Sequence, residues 1–164
     1  MPERTYNRES AVKYARKWAF SRNPEYVSFD SLGGDCTNFA SQCVFSGSGV
    51  MNFTPDVGWF YQSIRQRSAP WSGASYLYQF LTNNNGPGPY GRNLPLFKAE
   101  PGDILQLNLD GQRYDHSTVV ISVGEPPSPE TVTVAAHSED TDGKRLSDYD
   151  YKAFRLIHIE GVRG

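Results

Sequence analysis

The sequence predicts an α+β domain in which a layer of helices packs on an antiparallel sheet. Three observations carry this: helical periodicity fills the first half of the chain, period-2 alternation fills the second, and the alternating runs are joined by turn residues instead of crossover helices. Strands that follow one another through short turns pair antiparallel, and the apolar side they share is where earlier helices can pack. At 164 residues, the whole of 1–164 reads as one domain, long enough to bury about two-thirds of its unfolded surface without staples.

Ser10 to Phe20 reads as the first helix. Ala11, Ala15 and Ala19 recur at i, i+4, i+8, Val12, Tyr14 and Trp18 widen that side, and Asn23-Pro24 ends it. Tyr26 to Asp30 is a short extended stretch leading to Gly33-Gly34-Asp35-Cys36-Thr37-Asn38-Phe39. Here two glycines permit a positive-φ entry, and Asp35 or Cys36 can sit at the start of a helix. Cys36, Phe39, Ala40, Cys43 and Val44 form the apolar stripe of that helix, which ends by Gly47-Ser48-Gly49. The aromatic segment that follows, with Phe53, Trp59, Phe60, Tyr61 and Trp71, either walls a cleft or closes the core from one side. Ser72 is a cap for a short helix bearing Tyr76, Leu77, Phe80 and Leu81, and Asn83 to Pro89 breaks it.

Strands are predicted for Ile104–Leu109, Tyr114–Val123, Thr131–His137 and Lys152–Ile159, with Pro101-Gly102-Asp103 and Asp110-Gly111 as turns. The polar stretch around Asp142-Gly143 reads as a connection. No repeat or low-complexity segment interrupts the pattern.

Composition narrows the function classes. A net charge of −2 and pI near 5.9, with no basic stripe, argue against nucleic acid and anionic membranes as partners. No apolar run reaches a membrane-spanning length. Met1-Pro2-Glu3-Arg4 opens no apolar leader, so secretion to the cell envelope is expected only if a signal segment once preceded it, and a cytoplasmic place otherwise. Cys36 and Cys43, seven apart on one helix, lie about 10 Å apart and so cannot bridge. Metal and cofactor chemistry finds no pattern, for the cysteines lack a C-x₂₋₄-C clip and the three histidines stand singly. Nothing in the sequence sets an oligomeric state.

Cys36 is the candidate nucleophile, since the positive end of a helix dipole favours thiolate over thiol. A thiol needs a base at neutral pH, and the base needs a group to orient it. Among His116, His137 and His158, the first shares a strand face with Thr118, Val120 and Ser122. His137 ends the next strand on the side of Thr131, Thr133 and Ala135, and His158 lies on a plain terminal strand. If the two middle strands pair, His116 and His137 approach each other as base and orienter. Asp35, Asn38, Trp59 and Asp140 are candidates for contacts to substrate or oxyanion, and Asp35 serves equally as an N-cap.

These residues carry a family likeness. Asn7-Arg8, Ala11-Val12, Tyr14-Ala15, Trp18, Asn23-Pro24-Glu25-Tyr26, the Gly33 to Phe39 block with Ser41-Gln42-Cys43, Gly102-Asp103-Ile104 with Gln106, Asp115-His116-Ser117 and Ala136-His137-Ser138 resemble the putative amidase domain family. That family is regarded as similar to the papain-like NlpC/P60 and CHAP hydrolases. The resemblance implies a papain-like core, a thiol hydrolase acting on amide bonds, Cys36 as nucleophile and His116 as base. It also implies His137 as the orienting residue, and peptides or peptidoglycan-derived amides of bacterial cell wall as substrates. Where papain has an upstream Gln for the oxyanion, this chain has Asp30, an acceptor when ionised and so no donor. Acyl transfer to an amine on the same fold, and a catalytically silent wall- or peptide-binding module, are the alternative readings.

Overall fold

A computed structural model describes residues 1–164. It is α+β, with every strand pairing antiparallel. The first helix, α1 (Arg8–Trp18), begins two residues before the apolar pattern predicts because Asn7 caps it, its side-chain oxygen accepting from the Ser10 N–H at 3.0 Å. Ala11, Ala15 and Ala19 are fully buried, and their small side chains let α1 lie close against α2 (Cys36–Ser48). Helix α2 is the centre of the molecule, buried on nearly every side, and it stops at Gly49, which takes the left-handed φ of 68° and donates to the Phe45 carbonyl.

The aromatic segment divides. Trp59 and Trp71 are fully buried, lie tilted with ring centroids 4.8 Å apart, and close the core beside α2, whereas Phe53 stays exposed and pairs with Phe60. Ser72 does not cap the next helix. It ends a single turn, α3 (Ala69–Ser72), Gly73 separates that turn from α4 (Ala74–Asn83), and the Ser72 hydroxyl accepts instead from Arg67.

A small hairpin is formed by β2 (Tyr61–Ser63) and β3 (Gln66–Arg67). The main sheet contains β1 (Glu3–Arg4), β4 (Gly88–Leu94), β5 (Ile104–Asn108), β6 (His116–Ser122), β7 (Thr133–Ala136), β8 (Thr141–Arg145) and β9 (Ala153–Arg163). Its order is β1-β9-β5-β6-β7-β8, and β4 pairs with β9 as well. β4 and β8 were not expected. The first is rich in Pro, Gly and Asn and the second in charge, and both lie at edges of the ladder, where such residues are tolerated and alternation is lost.

Both faces of the sheet are covered. Val119, Ile121, Ala135, Ile157 and Ile159 meet the helices, while Leu105, Leu107, Val120, Val134 and Leu156 form a second core with Leu146 on the far face. The side chain of each β6 residue is thereby committed either to the helices or away from them.

Candidate active site

The turn into α2 is built by glycine. Gly33 and Gly34 have φ of 102° and 111°, a region closed to other residues without strain, and they swing the chain so that Cys36 begins the helix. Cys36 lines a cleft of about 520 Å³ together with Thr37, Gly73, Arg113, Tyr114 and Arg155. Its sulfur rests against the start of β6. It lies 3.7 Å from the Asp115 carbonyl oxygen and receives the Ser117 N–H, so the thiol touches the backbone on both sides of His116. The Thr37 hydroxyl stands 3.8 Å away.

Burial pushes the Cys36 thiol up from its ordinary value, and the donors from Ser117 and Thr37 offset that only in part. Desolvation thus works against the thiolate that a helix start is expected to favour. Cys43 is fully buried and unpaired, a core residue whose thiol burial raises further.

His116 is 8% exposed, yet its ring nitrogens have no hydrogen-bond partner in the chain and reach solvent. The ring lies 5.9 Å from that of Tyr149. Burial lowers its pKa, opposed by the carboxylates of Asp115 and Glu139 and aided by Lys144. Tyr149 is pushed up to about 12, by burial first, then by Glu139 and Cys36. The Cys36 sulfur thus lies against the backbone on either side of His116, whose ring is not among the residues lining the cleft, and burial pushes the thiol up and the imidazole down from their ordinary values.

His137 does not face His116. Val119 pairs with Ala135, so on the helix side the next residues along are Ser117 and His137, and His116 falls on the opposite face. The His137 ring stacks on Phe39 at 3.9 Å, Nδ1 lies 2.5 Å from Asp35 Oδ2, and Nε2 donates to the Trp18 carbonyl at 2.7 Å. A carbonyl only accepts, so Nε2 is the donor there, and Nδ1 faces the carboxylate. With both nitrogens engaged, this ring is unavailable to orient a base.

Asp35 is the hub of that network. It precedes α2 without capping it by side chain, because Oδ1 accepts from the Phe29 N–H and from Asn38 Nδ2 while Oδ2 meets His137. Asn38 is likewise spent, donating to Val27 O and accepting from Trp71 Nε1. Trp59 is fully buried and donates to the Ser41 hydroxyl, so it is core and not a wall of the cleft. Asp140 lies at the surface in a salt bridge with Arg22, which also grips Asp30 and holds that carboxyl below its ordinary value. Of the seven sequence candidates, only Cys36 lines the cleft, and only His116 keeps its polar side-chain atoms without a hydrogen-bond partner in the chain.

His158 sits elsewhere, bonded through Nδ1 to the fully buried Asp103 at 2.9 Å, with Arg8 on the other carboxylate oxygen. A larger groove of about 970 Å³, running past Phe60, Tyr76 and Phe80, shares Tyr76 with the cleft but holds neither a cysteine nor a histidine. Sequence reading missed Arg155 and Tyr114. The one available signal was a lone arginine inside the apolar run Phe154 to Ile159.

Residues 5–158 match a family model described as a putative amidase domain. An uncharacterized protein of Bacillus subtilis (strain 168), YhbB, is 33% identical over 121 residues, which cover 71% of this chain and 37% of that relative. The chain therefore spans little more than a third of the relative it matches. No solved structure matches.

Proposed function

This chain belongs to the putative amidase domain family, and from that premise we propose that it hydrolyses amide bonds with Cys36 as nucleophile and His116 as general base. In the proposed cycle, substrate enters the cleft and excludes water, and His116 takes the proton from the Cys36 thiol. The sulfur attacks the amide carbonyl carbon. The oxyanion that develops is met by the free amide of Cys36, since the first N–H groups of a helix have no intrahelical acceptor. The C–N bond then breaks, His116 returns its proton to the departing amine, and a thioester remains. Water, deprotonated by His116, releases the acid and restores the thiol.

A neutral thiol and neutral imidazole suit this order of events. The proton moves when substrate is bound, and a neutral base is present at neutral pH because burial lowers the pKa of His116. The substrate class proposed is a peptide, with bacterial cell-wall peptides as the instance that kinship to NlpC/P60 hydrolases would imply, and the core is proposed to be papain-like. His137 enters as a positioning residue: through Asp35 it fixes the turn that carries Cys36.

The observation that supports this reading most is the meeting of a helix-start thiol, open to a cleft, with the strand that bears an unpartnered imidazole. Incubation of Cys36→Ala and His116→Ala with cell-wall peptides tests it. Both should lose turnover while still binding, and unchanged turnover in either would refute the assigned role.

A further inference from the structure

The cleft beside Cys36 holds a cation without a counter-ion. Arg155 emerges from β9 into it with its guanidinium carbon 3.6 Å from the Tyr78 ring centre and 4.3 Å from that of Tyr114, clasped between two aromatic faces. Its Nε donates to Gln106 Oε1 at 2.9 Å, and the Nη hydrogens have no acceptor in the chain. No ion pair includes Arg155. Elsewhere in this protein, arginines such as Arg8 and Arg22 that reach across the fold end on carboxylates.

The mounting is rigid and leads to the nucleophile. Gln106 is fully buried, its amide donating to Ala74 O at 2.8 Å and to Ser117 Oγ at 3.2 Å. Ser117 Oγ lies 2.9 Å from Thr37 Oγ1, which is next to the Cys36 sulfur. A chain of side-chain contacts, Arg155 to Gln106 to Ser117 to Thr37, thus fixes a free guanidinium fork relative to the thiol. Packing against neighbours desolvates the guanidinium and lowers its pKa, and the tyrosine faces repay only part of that. Arg113 adds a second positive charge to the cleft wall, against the single carboxylate of Asp115.

We infer that Arg155 is a specificity residue that receives a substrate carboxylate, so that the amide cleaved lies next to a free C-terminal carboxylate or an acidic side chain. The planar fork of Nη1 and Nη2 matches a carboxylate in bidentate fashion, and both C-terminal and side-chain carboxylates present that group. The inference rests on the reading of Cys36 as the reacting group, and its test is made independent of that chemistry.

Binding is measured on the Cys36→Ala protein by calorimetry with two pairs of blocked peptides. One pair is acetyl-Ala-Ala-Ala as free acid and as amide; the other is acetyl-Ala-Glu-Ala-amide and acetyl-Ala-Gln-Ala-amide. At least one acid should bind about ten-fold tighter than its neutral twin, and which pair discriminates tells which carboxylate is read. Arg155→Met should bring that ratio to unity, and Arg155→Lys, which keeps charge without the fork, should leave a reduced preference. Equal binding within both pairs in otherwise unaltered protein, or a preference that persists in Arg155→Met, overturns the inference. Failure of the nucleophile reading appears separately, as loss of selective alkylation at Cys36.

Discussion

His116 and His137 stand on neighbouring strands of one sheet and have opposite fates. His116 faces away from the helices with its nitrogens open to solvent, on the strand whose backbone meets the Cys36 sulfur, whereas His137 faces the helices with both nitrogens bound to Asp35 and the Trp18 carbonyl. The same residue type is thus left without partners on one face and consumed as structure on the other. A single residue's difference in strand register sets which face each occupies, and the face decides whether the ring's donors and acceptors are already spent.

Removing either histidine, or the thiol, should have the largest effects. Cys36→Ala and His116→Ala should each lower kcat/KM by about 10³-fold or more, with stability within about 1 kcal/mol of the parent for His116→Ala, since that ring loses no hydrogen bond. His137→Ala should do the reverse. It strands the buried Asp35 carboxylate, which costs about 3 kcal/mol or more and lowers Tm by roughly 10 °C, so activity falls with folding. Thermal melts and kinetics of the same samples check both, and a stable but inactive His137→Ala protein would break the division of roles.

The pH dependence of activity should report the protonation of His116. His116 must be neutral to accept a proton, and burial lowers its pKa, so the acid limb of kcat/KM should fall below the ordinary imidazole value of about 6.5. Asp115→Asn and Glu139→Gln should move that limb to lower pH, because those carboxylates raise the pKa, and Lys144→Met should move it up. Initial rates from pH 4.5 to 8 read these shifts.

The smallest effect belongs to the third histidine. Asp103 raises the pKa of His158 in the folded state, so its stabilising contribution is complete below the unfolded value and fades as pH rises through the folded one. Denaturant titrations of the parent and His158→Gln proteins should therefore differ most in acid and converge on the alkaline side.

Much of this fold is legible in the sequence because alternation and heptad-like spacing report burial directly. The cysteine helix, its glycine entry and the strands β5, β6, β7 and β9 all follow from such patterns. β4 and β8 escaped because edge strands need no apolar alternation. For the proposed site, Cys36 and His116 were readable as residue types in suitable local settings. The role of His137 was not, since it depends on the pairing of Val119 with Ala135, which no local pattern specifies. Asp35, Asn38 and Trp59 misled for a related reason: a polar or aromatic side chain near a nucleophile in sequence can be spent in the core, and only the three-dimensional partners reveal that.

We propose that His116 activates Cys36 while His137 holds the scaffold. Iodoacetamide labelling at neutral pH, resolved by cysteine through peptide mass spectrometry, tests it most directly when run on the parent and His116→Ala proteins. Cys36 should be alkylated much faster than the fully buried Cys43, and His116→Ala should slow the reaction at Cys36 at least about ten-fold, in line with loss of a general base. Equal labelling of the two cysteines, or a His116→Ala protein that reacts at the parent's rate, would contradict it.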